Sequence, residues 1–423
     1  MDYEEALDYI AQTNWRGSKP GLERITQLCG LLGNPHKGMK FIHVAGTNGK
    51  GSVCAFLSSI LYKAGYKVGL FTSPYIEVFN ERIQINGCNI PDEELARITE
   101  YIRPYADSME DLPTEFELNT AIALEYFKRN SCDIVILEAG MGGELDSTNV
   151  IDSPELAIIM HIALDHTAEL GNTIEEIAKT KAGIIKPGCR VVLYKQEEKA
   201  AGIIRSRCEA VGAELFVSEP EELEWIDADI NRQIFRSRSF GTLAIPLIGS
   251  YQLENAAAAL KAVEVLRRRG WHISTNSVTD GLESTRWPGR FEVIRHRPLF
   301  IVDGGHNVDG ISAAAESLER IFKEEKIILI FGVMADKNYD EMLDRILPRA
   351  SEVLCVAPNN ERALPADELA RAAAEKGVHA ESFGSIGEAV DAAYEKAKRV
   401  LPICAAGSLY MVGDIKKYVN EKY

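Results

Sequence analysis

The chain has 423 residues, long enough for two domains and too long for one ordinary core. Hydrophobic residues make up 46% and charged residues 26%, the balance of a soluble globular protein, and no apolar run reaches the length of a membrane span. A net charge of −16 argues against non-specific nucleic-acid binding, which needs a basic surface, but leaves small anionic ligands open.

The start, Met1-Asp2-Tyr3-Glu4-Glu5, is acidic where a signal peptide would be basic, so the cytoplasm is the expected location. The eight cysteines are scattered, with no C-x-x-C pair, and read as buried reduced thiols rather than as disulfide or zinc ligands.

The first strong signal is Phe41–Ala45, an apolar run that reads as a buried strand. It opens into Gly46-Thr47-Asn48-Gly49-Lys50-Gly51-Ser52, followed by Val53–Leu57 and Leu61 at the spacing of an amphipathic helix. A glycine-rich turn between strand and helix lets backbone N–H groups surround phosphate oxygens, with the helix N-terminus aimed at the anion. Lys50 adds a mobile positive charge. The strict P-loop spacing is not met, since Val44 stands at the first glycine position and Gly51 follows the lysine. A turn that needs glycine only for its geometry is the alternative, but such a turn needs no lysine.

Beyond it, strand-like runs at Lys67–Phe71, Asp133–Leu137, Glu155–Ile162 and Arg190–Tyr194 alternate with helical patterns such as Thr120–Lys128 and Ile174–Ala182. This alternation predicts an α/β fold with a mostly parallel sheet, whose ligands sit at the carboxyl ends of the strands. Asp133–Leu137 ends in Glu138, followed by Ala139-Gly140-Met141-Gly142-Gly143. A carboxylate there reads either as a Mg²⁺ ligand beside phosphates or as a helix cap. Asp165-His166 follows another strand, where the imidazole can meet metal or phosphate. Lys181, in Lys179–Ile185, reads from local pattern alone as a solvated lysine near a helix end.

Trp287-Pro288-Gly289-Arg290 breaks the periodicity, and a second series follows, with strands near Leu299–Val302, Ile327–Phe331 and Val353–Ala357. The boundary is therefore expected near Pro288. Asp303-Gly304-Gly305-His306-Asn307 repeats the pattern of a strand opening into a polar turn. Two such turns imply a nucleotide held in a cleft.

Gly46–Ser52, Thr72-Ser73-Pro74, Asn80–Ile83, Leu137–Asn149, Leu164–His166, Lys181–Ile184, Gln252–Asn255, Trp287–Arg290 and Asp303–Asn307 together resemble the folylpolyglutamate synthase and dihydrofolate synthase family, within the Mur-ligase group. The resemblance implies a P-loop-type, mostly parallel N-terminal ATPase domain at 1–288 and a smaller, Rossmann-like α/β C-terminal domain at 289–423. It implies ATP as cofactor, bound by Gly46, Thr47, Asn48, Gly49, Lys50, Gly51 and Ser52, with Asn255 at adenine and Arg290, Asp303 and His306 also at the nucleotide. Ser73 and Glu138 are implied ligands of one Mg²⁺, His166 and Lys181 of a second, with Lys181 carbamylated. Lys50, Glu138, His166 and Lys181 form the implied catalytic set.

The implied reaction joins L-glutamate to a reduced folate or to dihydropteroate through an acyl phosphate, in a monomer with no nucleic-acid or membrane partner. The alternatives are a Mur-type amino-acid ligase of cell-wall precursors and a non-catalytic nucleotide-binding regulator. The chain departs from the family pattern at Tyr75 and Tyr251, where histidine is usual, and at Glu144, Gly305 and Val308. Glu144, a carboxylate that phosphates would repel, is expected to point away from them.

Overall fold

The computed structural model describes residues 1–13, 19–398 and 400–423. Two compact units account for the chain. The first comprises Met1–Glu224, Ser237–Gly241 and Glu254–Thr285, the second Trp225–Arg236, Thr242–Leu253 and Arg286–Tyr423. The excursions ahead of residue 288 into the second unit depend on contacts remote in sequence, and strand and helix signals do not show them.

The first unit is built on eight strands: β1 (Phe41–Ala45), β2 (Val68–Phe71), β3 (Ile83–Ile85), β4 (Cys88–Asn89), β5 (Ile134–Glu138), β6 (Leu156–Ile159), β7 (Arg190–Leu193) and β8 (Glu214–Val217). Their order is β4-β3-β2-β5-β1-β6-β7-β8. The run from β2 to β8 is parallel, and the β3–β4 hairpin is added antiparallel to β2. β1, β2, β5 and β6 are buried throughout, which is why they read as mainly apolar runs, with His43 in β1 and Glu138 at the end of β5 the polar exceptions.

Helix Glu115–Arg129, started by the Thr114–Glu117 capping box, helps cover one face of the sheet through Leu118, Ile122 and Phe127. Helices Ile174–Ala182 and Glu198–Val211 cover the other through Ile177, Ala182, Ala201 and Ile204. Each such Leu or Ile contributes about 1.5–3 kcal/mol by leaving water.

Helix Lys50–Lys63 is not the amphipathic helix that its spacing suggests. Val53, Cys54, Ala55, Phe56, Leu57, Ile60 and Leu61 are all buried, because the helix packs against the sheet and against helix Thr275–Ser284. Gly281 permits that approach. A Cβ there would lie 2.5 Å from Ile60 Cα, and the Gly281 carbonyl accepts from Ser59 Oγ at 2.6 Å.

β6 ends at Ile159 rather than at Ile162, since Gln196 takes over the backbone of Met160 and Ile162. β9 (Leu223–Ala228), β10 (Gln233–Ser237) and β11 (Gly241–Ile245) form a three-stranded sheet with β10 central, which the sequence reading lacked.

The second unit holds β12 (Glu292–His296), β13 (Leu299–Val302), β14 (Ile327–Phe331), β15 (Ala350–Cys355), β16 (Ala380–Ser382) and β17 (Ile403–Ala406), in the order β12-β13-β17-β14-β15-β16. β12 is antiparallel to β13, and the rest run parallel. β15 starts three residues earlier than the apolar run at Val353, because Ala350 already pairs with Ile327. Seven of the eight cysteines are buried thiols, and Cys88 is exposed. Among the described residues no helix is long and apolar enough to cross a membrane.

Candidate active site

Four adjacent strands of the first unit, β2, β5, β1 and β6, deliver the polar motifs from their carboxyl ends. Gly46 leaves β1 against Met160, and a Cβ on Gly46 would lie 2.6 Å from that of Met160. Gly49 sits at φ 84° and caps helix Lys50–Lys63, with Asn255 Oδ1 filling the space a side chain would need. The first intrahelical bond runs from Val53 N to Gly49 O. The N–H groups of Lys50, Gly51 and Ser52 therefore lie in the first turn, where an anion is favoured. Thr47 N and Asn48 N instead donate to His161 O, at 2.7 and 3.3 Å, which ties the loop to the end of β6. Gln196 clamps the backbone on both sides of that carbonyl, donating to Met160 O at 2.7 Å and accepting from Ile162 N at 3.1 Å.

Lys50 Nζ donates to the carbonyls of Gly46 and Thr47, at 3.1 and 3.2 Å, and lies 4.0 Å from Glu138 Oε1. Glu138, 5% exposed, closes β5 opposite Val44. Its Oε2 accepts from Ser73 N at 3.2 Å, so the Ser73 turn after β2 meets the same carboxylate.

Lys181 is 3% exposed, which corrects its local reading as a solvated lysine. Its helix packs toward the sheet and carries Nζ to Gly46 O, at 2.9 Å. Burial, aided by the charge of Lys50, brings its pKa down to about 7, while Asp165 and Asp146 act to raise it. His166 is exposed, at φ 50°, and its N–H donates to Asp165 Oδ1 at 2.9 Å.

A cavity of about 400 Å³ opens in this unit between Ser73, the Gly140–Ser147 turn, Phe116, Arg82 and Leu170. Its wall is mixed: Phe116 lies directly under Gly140, while Glu115, Glu144 and Asp146 bring carboxylates and Arg82 a guanidinium. Gln196, Asp146, Phe116 and Arg82 are absent from the sequence-derived site. They lie in ordinary-looking stretches, and only the Leu137–Asn149 and Asn80–Ile83 motifs hinted at two of them.

In the second unit, Asp303 follows β13, is buried, and accepts from Phe291 N and Gly305 N, both at 2.8 Å. Tyr251, standing where the resemblance leads one to expect histidine, donates its hydroxyl to Asp303 Oδ2 at 3.3 Å. His306 Nδ1 is 3.0 Å from Gly304 O, Arg290 packs beside Gly304, and Asn307 caps helix Val308–Phe322. Asp303 thus shapes the turn that carries His306 and fixes the backbone next to Arg290. Elsewhere in this unit Glu352, His379 and Glu381 bring potential metal-ligand atoms within 4.8 Å of one another. Lys396 already bonds both carboxylates, at 2.7 and 2.9 Å.

Residues 44–263 match the Mur ligase middle domain and residues 289–409 the Mur ligase glutamate ligase domain. The chain is 37% identical to the dihydrofolate synthase/folylpolyglutamate synthase of Bacillus subtilis, over 98% of each chain. The chain belongs to the folylpolyglutamate synthase/dihydrofolate synthase family of Mur ligases. Among solved members of that family, the folylpolyglutamate synthase of Mycobacterium tuberculosis, complexed with ADP and AMPPCP, superposes with a TM-score of 0.90 at 28% identity, covering 100% of this chain and 99% of that one. Escherichia coli FolC, in complex with DHPP and ADP, gives 0.88 at 30% identity, covering 100% and 98%. As a folylpolyglutamate synthase/dihydrofolate synthase family member, the protein is an ATP-dependent ligase with the α/β, mostly parallel architecture expected from its sequence.

Proposed function

We propose that the protein joins L-glutamate to the carboxylate of a reduced folate, of dihydropteroate, or of both, by way of an acyl phosphate. One observation carries this reading. Ser73 lines the cavity and donates its N–H to Glu138, whose other oxygen lies 4.0 Å from Lys50. A carboxylate presented from the cavity thus comes beside the phosphate loop.

A carboxylate resists amines because it is anionic and lacks a leaving group. Transfer of the γ-phosphoryl group supplies one, and the glutamate amine then displaces phosphate. In this reading the Gly46–Ser52 loop and Lys50 hold and neutralise the phosphates, Asn255 contacts adenine, and Arg290, Asp303 and His306 act on the same nucleotide. Residues 1–288 serve as the ATP-binding domain and 289–423 as the ligase domain. Phe116 offers a stacking face for a planar heterocycle, with Asp146 and Glu115 as acceptors for its N–H groups.

Glu138 and the Ser73 turn offer hard oxygen ligands side by side, a set that suits Mg²⁺. Bound there, the ion would neutralise charge on the phosphates. Lys181 suits a second ion with His166 only once its ammonium is gone. Its pKa of about 7 leaves much of it as the neutral amine at neutral pH. That amine adds CO₂ to give a carbamate and a proton, turning a cation into an oxygen ligand. A monomer, which rests on the resemblance, in the cytoplasm, which rests on the acidic start of the chain, completes the proposal.

The test is ADP release by the purified protein with dihydropteroate or tetrahydrofolate, each with and without glutamate. Release that needs both the pteridine and glutamate is expected, and the pair of acceptors reports which activity is present. ADP release indifferent to glutamate would overturn the reading, and no ADP release with any acceptor would favour a non-catalytic nucleotide-binding regulator.

A further inference from the structure

His43 sits in the middle of β1 and is completely buried. The strand is buried along its whole length, where aliphatic residues pack without any polar cost. Its Nε2 lies 2.8 Å from Thr148 Oγ1, and that hydroxyl donates to Asp146 Oδ1 at 2.5 Å. A hydroxyl has one proton. Since Thr148 gives its proton to the carboxylate, it can only accept from His43, so the ring carries its proton on Nε2. Nδ1 is buried and has no hydrogen-bond partner. Burial also drives the imidazole pKa down to about 3, so the ring is a neutral donor throughout the working pH range.

The far end of this chain of bonds reaches the cavity. Asp146 lines its wall together with Gly140, Met141 and Gly142. Thr148 N also donates to Oδ1, at 3.0 Å, and Met141 N to Oδ2, at 2.9 Å. Both carboxylate oxygens are thereby held in place; Oδ1 has its two donors, and Oδ2 keeps room for a further one. His43 lies three residues before Gly46 on the same strand. The chain of bonds therefore ties the cavity wall to the sheet strand that also carries the phosphate loop.

We propose that His43 is a positioning residue for the acceptor substrate: through Thr148 it holds Asp146 as a fixed acceptor for the N–H donors of a planar heterocycle in the cavity. This rests on the reading of the cavity as the site of the pteridine-bearing acceptor. Without His43, the Thr148 hydroxyl loses one of its two partners, and the carboxylate gains freedom that substrate binding must then remove.

The experiment is steady-state kinetics with each substrate varied in turn. His43→Leu is expected to raise KM for the pteridine acceptor about tenfold, the size of one hydrogen bond to a charged group, with KM for ATP within about twofold. Thr148→Val should do the same, and the double variant should be no worse than Thr148→Val alone. His43→Gln, whose amide N–H can take the place of Nε2–H, should bring the acceptor KM back to within about threefold.

A uniform rise in KM for ATP, glutamate and acceptor, an unchanged acceptor KM, or additive effects in the double variant would each overturn the proposal. If His43→Leu does not fold, the Thr148→Val and His43→Gln results decide it by the same criteria. Phe116→Ala separates the two layers. An unchanged acceptor KM in that variant removes the cavity reading and the proposal with it. A raised one, beside an unaffected His43→Leu, removes only the role of His43.

Discussion

The ammonium groups of Lys50 and Lys181 converge on one acceptor, the carbonyl oxygen of Gly46, at 3.1 and 2.9 Å. Burial above all, with the like charge of Lys50 added to it, brings the pKa of Lys181 down to about 7. Lys50, only partly buried and 4.0 Å from Glu138, keeps a carboxylate neighbour.

Stability should therefore depend on pH through Lys181. Its folded pKa, about 7, lies below the ordinary 10.5, so between those values the unfolded chain binds more protons and stability rises with pH. The penalty for burying it is full below pH 7 and gone above about 10.5. Lys181→Met, in CO₂-free buffer, is expected to raise Tm relative to the parent at pH 6, with an advantage that fades towards pH 10. The same variant should lose ligase activity. An advantage in Tm that does not vary with pH would refute the assignment.

Lys50→Ala should lower ligation by about two orders of magnitude or more, the scale set by removing one charge-stabilising donor from an active site. Its Nζ bonds only loop carbonyls and approaches Glu138, so unfolding free energy should change by no more than about 0.5–1 kcal/mol. Kinetics and thermal melting on the same preparation check both halves.

Gln196→Ala should weaken nucleotide binding without touching the loop itself. Its side-chain amide holds the backbone on either side of His161 O, which accepts from Thr47 N and Asn48 N. Losing two hydrogen bonds of about 1 kcal/mol each is expected to raise the Kd for ADP several-fold to tenfold. Calorimetric titration measures it, and an unchanged Kd would show that the loop holds its shape alone.

Gly281→Ala tests the packing of helix Thr275–Ser284 on helix Lys50–Lys63. A Cβ 2.5 Å from Ile60 Cα must push two backbones apart, which overpacked cores resist by about 1–3 kcal/mol. Urea unfolding should show a lower midpoint, despite the better helix propensity of alanine.

Much of this protein was written locally. Short, mainly apolar runs name β1, β13 and β14 to the residue, because strands buried on both faces have no polar side, and one histidine in β1 does not break the run. The Gly46–Ser52 turn announces phosphate for the same kind of reason. Glycines close together around one lysine satisfy a local backbone need and leave a charge over. What stayed hidden depends on residues distant in sequence. Lys181 is buried because a helix 135 residues from Gly46 carries it onto that carbonyl, a fact no window around Lys181 contains. His43 meets Thr148 across 105 residues, and Gln233 in β10 bonds backbone of the second unit well before residue 288. Hydrophobic pattern and turn chemistry act over a few residues. The burial of a charge, and hence its pKa and its chemistry, is decided only when distant segments close around it.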